Sequence, residues 1–118
     1  MILIDTSAWV SFFRGEQRSA AMQDEIINGN GAIHPYIIGE LLLGGISSKI
    51  DRLLQTMELL PVTDSNVVFQ LIKNYNLHNR GIGWVDVNLI ATSMISGYKI
   101  HTFDENLLRA CRSLGCSW

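Results

Sequence analysis

Met1-Ile2-Leu3-Ile4-Asp5-Thr6-Ser7 decides how this chain is read. Four apolar residues end on a carboxylate, and two hydroxyl residues follow. A short uninterrupted apolar run has the profile of a parallel strand covered on both faces. Asp5-Thr6-Ser7 then offers N-caps for a helix through Phe13, stopped near Gly15. Strand, acid and helix in that order open a βα unit. They put Asp5 at the carboxyl end of a strand, where open parallel sheets bind their ligands.

The same alternation continues along the chain. A helix is predicted over 19–27, ended by Asn28-Gly29-Asn30-Gly31. A strand, Ala32-Ile33-His34, leads into Pro35, which suits a first helical turn. That helix runs through Glu40 to Gly44-Gly45. Ser47-Ser48 caps another, with Ile50, Leu53, Leu54 and Met57 on one face. Leu59-Leu60-Pro61-Val62 reads as a short edge strand, because proline removes a ladder donor. Asp64 caps a helix through Leu77 with Val67, Val68, Leu71, Ile72 and Tyr75 inward. After the flexible Gly81-Ile82-Gly83 come a helix over 85–96, a strand over 98–101 and a last helix from Asp104 to Gly115. Strands alternating with helices predict an α/β sandwich with a mostly parallel sheet. Residues 1–118 read as a single domain, without repeat, linker or low-complexity segment.

Charge is distributed unevenly over this pattern. Met1 to Phe13 carries only Asp5, Gly31 to Ser48 only Glu40, and Gly81 to Tyr98 only Asp86. Asp104 follows a further strand-like run. Burying an isolated carboxylate is costly unless a cation or hydrogen-bond donors meet it. No Lys or Arg lies beside the first three in sequence, so a divalent metal held by all four acids is the simplest supplier. Oxygen ligands without His or Cys suit Mg2+ or Mn2+. The reaction such ions serve here is phosphodiester hydrolysis, since they activate and orient a water and stabilise the leaving oxygen. Thr6, Ser7, Thr102 and Asn106 stand near the acids as supporting residues that position carboxylates or waters, or cap helices. Each acid also has a plainer reading: Asp5 and Asp104 as N-caps, Asp86 as a macrodipole partner. Glu40 fits that reading least, because its helix is apolar nearly all round and a solvated face is not expected.

Composition permits this chemistry. Hydrophobic residues make up 47% and charged residues 17%, which argues against disorder. The net charge is −2. With four acids set aside as ligands, nine basic residues face the remaining seven acids, so a nucleic-acid substrate is admissible. No apolar run is long enough to span a bilayer, and the N-terminus lacks the basic region of a signal peptide. Cys111 and Cys116 lack metal or redox-pair spacing and are expected as free thiols in a reducing cytoplasm. His101 is expected in a strand with an ordinary hydrogen bond.

Over its whole length the chain resembles a PIN domain, and within that family the VapC-type toxin ribonucleases. The resemblance is carried by Ile4-Asp5-Thr6-Ser7, Ile38-Gly39-Glu40-Leu41, Asp86 with Leu89-Ile90-Ala91-Thr92, and Thr102-Phe103-Asp104. It implies a three-layer α/β/α sandwich with a mostly parallel central sheet, and a magnesium- or manganese-dependent endoribonuclease with Asp5, Glu40, Asp86 and Asp104 as metal-binding and catalytic residues. It also implies a homodimer and inhibition by a cognate antitoxin covering the site. The chain departs from the family pattern at Phe103, where a basic or polar residue is common, and at the bulky Trp84 and Val85.

The apolar residues Trp9, Phe12 and Phe13, with Leu41, Leu42 and Leu43, point to an antitoxin helix near the first three helices. The helix from Asp64 and the segment around Trp84 are expected at the dimer contact. Trp84 also reads as a base-stacking residue at the groove rim, although packing is the plainer role. A haloacid-dehalogenase-like phosphatase needs a second aspartate where Ser7 stands. A receiver domain needs a late lysine where Thr102 and Asp104 stand. The alternative of another class is a non-catalytic RNA- or antitoxin-binding module.

Overall fold

The computed structural model describes residues 1–118. Its sheet has four parallel strands in the order β3-β2-β1-β4. They are β1 (Ile2–Ile4), β2 (Gly31–Ile33), β3 (Glu58–Leu59) and β4 (Lys99–His101). Helices α1 (Thr6–Phe13) and α2 (Ala20–Ile27) connect β1 to β2, with a 3-10 turn, Gln17–Ser19, between them. Helices α3 (Pro35–Gly44) and α4 (Ser48–Thr56) connect β2 to β3. Helices α5 (Ser65–Asn74) and α6 (Trp84–Ser96) lead back to β4, and α7 (Glu105–Leu114) follows. No helix is long and apolar enough to cross a membrane.

Topology explains the layers. The chain steps outward from β1 to β3, then returns past β2 and β1 to β4. Right-handed crossovers running in opposite directions put their helices on opposite faces, so α1–α4 cover one face and α5–α6 the other. Two cross-strand pairings centre the fold on β1. Leu3 lies beside Ala32 on one side and Ile100 on the other. Ile2, Leu3 and Ile4 are at most 1% exposed, which is why this strand tolerates no polar residue. Full burial of each such side chain contributes roughly 1.5–3 kcal/mol. The strand order reverses at β1, so a crevice opens where β1 and β4 end.

Several readings need correction. Val67 and Tyr75 are 49% and 44% exposed rather than inward. Only Val68 and Leu71 of α5 are fully buried, with Ile72 beside them, because the helix ends at Asn74 and Asn76 takes a left-handed φ of 51°. Helix α3 buries only Ile37 and Leu41. Leu42 and Leu43 are 54% and 91% exposed, and Glu40 lies on an exposed face. The apolar sequence of α3 thus exceeds what this chain covers. The strand expected around Leu59 is only two residues, Glu58–Leu59, and precedes Pro61. Beyond β4, Ser117 makes a single parallel bridge to Ile100. Cys111 and Cys116 are free and buried.

Candidate active site

Asp5 leaves β1 at the reversal point, and its backbone N–H donates to the His101 carbonyl at 3.0 Å. That bond carries the β1–β4 ladder one residue into the site. Although Asp5 precedes α1, its side chain makes no capping bond. Its Oδ2 instead accepts the Ser7 hydroxyl at 2.8 Å and the Thr102 hydroxyl at 2.7 Å. Asp5 is 6% exposed and Thr102 is 4% exposed, so this is a buried charge met by donors.

Proton accounting fixes the direction of each bond. A hydroxyl has one proton, and both protons are committed to Asp5. The 3.1 Å approach of the Ser7 and Thr102 oxygens is therefore a contact of two acceptors around a shared partner. Each oxygen also accepts a backbone N–H: Ser7 from Phe103 at 2.9 Å, and Thr102 from Asp104 at 3.0 Å. Residues 5–7 and 102–104 are thereby closed into one clamp.

The other acids arrive on separate elements. Glu40, on α3, accepts the Thr6 hydroxyl at 2.8 Å. Asp104 caps α7 by accepting the Leu107 N–H at 2.9 Å. Asp86, in the first turn of α6, accepts the Gly83 N–H at 2.9 Å. Asp104 thus caps a helix, Asp86 sits in a first turn as a macrodipole partner would, and Asp5 makes no capping bond. Asn106 is not among the acids: its amide donates to the Gly81 carbonyl at 3.3 Å. Nor does His101 make the expected side-chain hydrogen bond. Its Nε2 has no partner, and its ring sits edge-on to Phe103 at 4.9 Å and Trp118 at 4.7 Å.

Electrostatics ties the four acids together. Burial chiefly pushes the Asp86 carboxyl up, and the Gly83 N–H holds it down. The negative charges of Asp5, Asp104 and Glu40 then push it up further. Four carboxylates from four distant segments therefore share one field. The chain's one ion pair is elsewhere, between Arg18 and Glu16 at 3.2 Å. As the side chains stand, no three His, Cys, Asp or Glu residues are close enough to grip an ion. The donor set is nevertheless hard oxygen throughout. It fits an ion such as Mg2+, which keeps several waters and takes only one or two carboxylates.

Two features at the site escape a reading along the chain. The Gly83 N–H is one, although its place three residues before Asp86 is the offset of a capping pair. The other is Arg18, whose guanidinium lies 4.1 Å from the Phe103 ring centre while its Nε reaches Ser11 at 3.2 Å. A cation thus sits beside the apolar residue preceding Asp104, and nothing in the local sequence signals it. Trp84 packs on Phe69 at 5.7 Å and stays 43% exposed.

A profile of the PIN domain family matches residues 2–113. The chain belongs to the PIN domain family. Ribonuclease VapC32 of Mycobacterium tuberculosis, in two strains, is 32% identical, the match covering 98% of this chain and 94% of the relative. The crystal structure of PAE2754 from Pyrobaculum aerophilum superposes with a TM-score of 0.63 at 20% identity, over 92% of this chain and 82% of that one. At that identity the PAE2754 likeness concerns the fold alone. The family match and the VapC-type relative agree with the PIN-domain resemblance read from the sequence.

Proposed function

We infer that this PIN domain chain is a metal-dependent endoribonuclease of the VapC type, the toxin of a toxin–antitoxin module, working as one nuclease domain over residues 1–118. The observation that carries the reading is the shared field at Asp86, where the charges of Asp5, Glu40 and Asp104 converge and no Lys or Arg forms a salt bridge with any of the four. Asp5, Glu40, Asp86 and Asp104 would hold Mg2+ or Mn2+. When bound, such an ion lowers the pKa of a coordinated water and stabilises the departing oxygen of a phosphodiester.

The chain's own residues supply the rest. Ser7 and Thr102 hold one oxygen of Asp5, Oδ2, and leave Oδ1 without a hydrogen-bond partner. Thr6 orients Glu40, and Gly83 orients Asp86. A carboxylate not committed to an ion serves as the acceptor for the proton that the attacking water loses.

Two exposed apolar faces support the partners. A cavity of about 390 Å³ lined by Phe12, Phe13, Ile46 and Ile50 lies next to the exposed Leu42 and Leu43. It suits an apolar helix of a cognate antitoxin. On the far side, Val67, Tyr75, Met94 and Ile95 are exposed around a cavity of about 240 Å³ between α5 and α6, which suits a homodimer contact. The two free thiols fit a cytoplasmic setting.

The test is cleavage of a structured RNA pool in manganese by antitoxin-free protein, beside Asp5→Asn prepared identically. Manganese binding by calorimetry accompanies it. Cleavage and ion binding by the parent alone support the reading. Equal cleavage by both proteins refutes the site, and RNA binding without cleavage by the parent favours a non-catalytic module.

A further inference from the structure

A second concave site, of opposite charge, is built from the loop before Gly81 and from the α7 residues that follow Asp104. Asn79, Arg80, Asn106, Arg109 and Ala110 line a cavity of about 330 Å³. Neither arginine touches a carboxylate. Arg80 donates from Nε to the Asn76 carbonyl at 3.1 Å and from Nη2 to the Tyr75 carbonyl at 3.3 Å. It is thereby anchored on the C-terminal end of α5. Arg109 donates from Nη1 to the Asn106 amide oxygen at 3.3 Å. A guanidinium has five N–H donors in a fixed fork, so most of the donors of both arginines remain free.

This cavity adjoins the segments that carry Asp86 and Asp104 without touching either acid. Asn106 lies two residues after Asp104, and its amide bonds Gly81, two residues before the Gly83 that holds Asp86. Arg109 is about 7.5 Å from Asp104 along the α7 axis at 1.5 Å per residue. Four carboxylates repel an incoming phosphate backbone, so a strand needs cations beside them as well as between them. Two guanidiniums fixed by neutral acceptors supply that charge at a constant position.

We propose that Arg80 and Arg109, with the Asn79 and Asn106 amides, form a phosphate-binding site that grips the RNA strand next to the phosphodiester being cut. This rests on the RNA reading given above. The ligand is the sugar–phosphate backbone of a single strand, which can bend into a concave site. Arg80 and Arg109 are positioning residues that act on substrate affinity.

The experiment measures binding of a fluorescein-labelled single-stranded oligoribonucleotide in EDTA across a KCl series, followed by steady-state cleavage in manganese. The proteins are the parent, Arg80→Gln, Arg109→Gln, the double variant, Arg80→Lys and the distant control Arg52→Gln. Each glutamine variant should lower the slope of log affinity against log salt by about 0.7, which at 0.1 M salt is a loss of about fivefold. KM should rise with kcat unchanged, Arg80→Lys should retain most of the slope, and Arg52→Gln should match the parent. Slopes equal to the parent's in folded Arg109→Gln and the double variant overturn the proposal. So does unchanged RNA affinity with weakened antitoxin binding, which would make the cavity a protein contact. If the parent binds with arginine-dependent slopes but never cleaves, the nuclease reading fails and the phosphate site stands.

Discussion

Thr102→Val tests the clamp on Asp5 almost without changing shape. Valine replaces the hydroxyl with a methyl at a position 4% exposed, so no cavity is expected. Two hydrogen bonds are lost, the donation to Asp5 at 2.7 Å and the acceptance from the Asp104 N–H at 3.0 Å. A bond to a charged group is worth about 1.5–3 kcal/mol, and stranding a partly buried N–H adds to it, so the combined cost is about 2–4 kcal/mol. For a chain of this length 1 kcal/mol corresponds to about 4 °C in Tm, which gives a drop of roughly 8–16 °C. Urea and thermal unfolding in EDTA read the loss directly. Thr102→Ser keeps the hydroxyl and should cost under about 1.5 kcal/mol. Because Ser7 serves the same oxygen, Ser7→Ala and Thr102→Val should couple by about 0.5–3 kcal/mol in a double-mutant cycle. A Thr102→Val cost below about 0.5 kcal/mol, or strict additivity with Ser7→Ala, would refute the argument that these hydroxyls carry a buried charge.

Gly81 has a φ of +73°, and an added Cβ would stand 2.5 Å from the Asn106 amide nitrogen. Gly81→Ala should therefore cost about 1–2 kcal/mol on unfolding and dislodge Asn106, visible as a shifted side-chain amide resonance. His34 is fully buried, and burial holds its imidazole below 6.5. The unfolded chain thus takes up the proton first, so stability should fall as pH drops from 6.5 through the lower folded value. His34→Asn keeps an acceptor for the Tyr36 N–H and should flatten that fall in urea titrations at pH 7 and 5, whatever its cost at pH 7. Leu43, 91% exposed, should accept Glu with less than about 0.5 kcal/mol change in unfolding, yet lose capture of the cognate antitoxin in co-purification.

The fold was legible because its signals were redundant. Apolar Ile2–Ile4 reads as a doubly covered strand, and Pro35 and Asp64 mark helix starts that the structure places at Pro35 and Ser65. Where one signal stood alone it misled. The apolar sequence of α3 says that some surface must be covered without saying by what, so Glu40 read as enclosed although it faces out. Tyr75 continued a periodicity that had ended with the helix at Asn74. At the candidate site, the four acids stood out as isolated charges in apolar segments. Their neighbours were less legible, since Ser7 and Thr102 carry no mark of sharing one oxygen. Asn106 has Asp104 close by in sequence, but its donors point toward Gly81. A side chain's direction depends on partners brought in by other segments, and local pattern does not record those.

The bond from Thr102 to Asp5 joins residues 97 apart. Asp5 leaves the ribosome's catalytic centre 97 residues before the threonine whose hydroxyl holds it. At about 5–20 residues per second, the growing polypeptide carries Asp5 unclamped for about 5–20 s. Over that interval β1 lacks β4, and the crevice has only one wall. Translation therefore acts as a timer, and the centre cannot be assembled on a partly made chain.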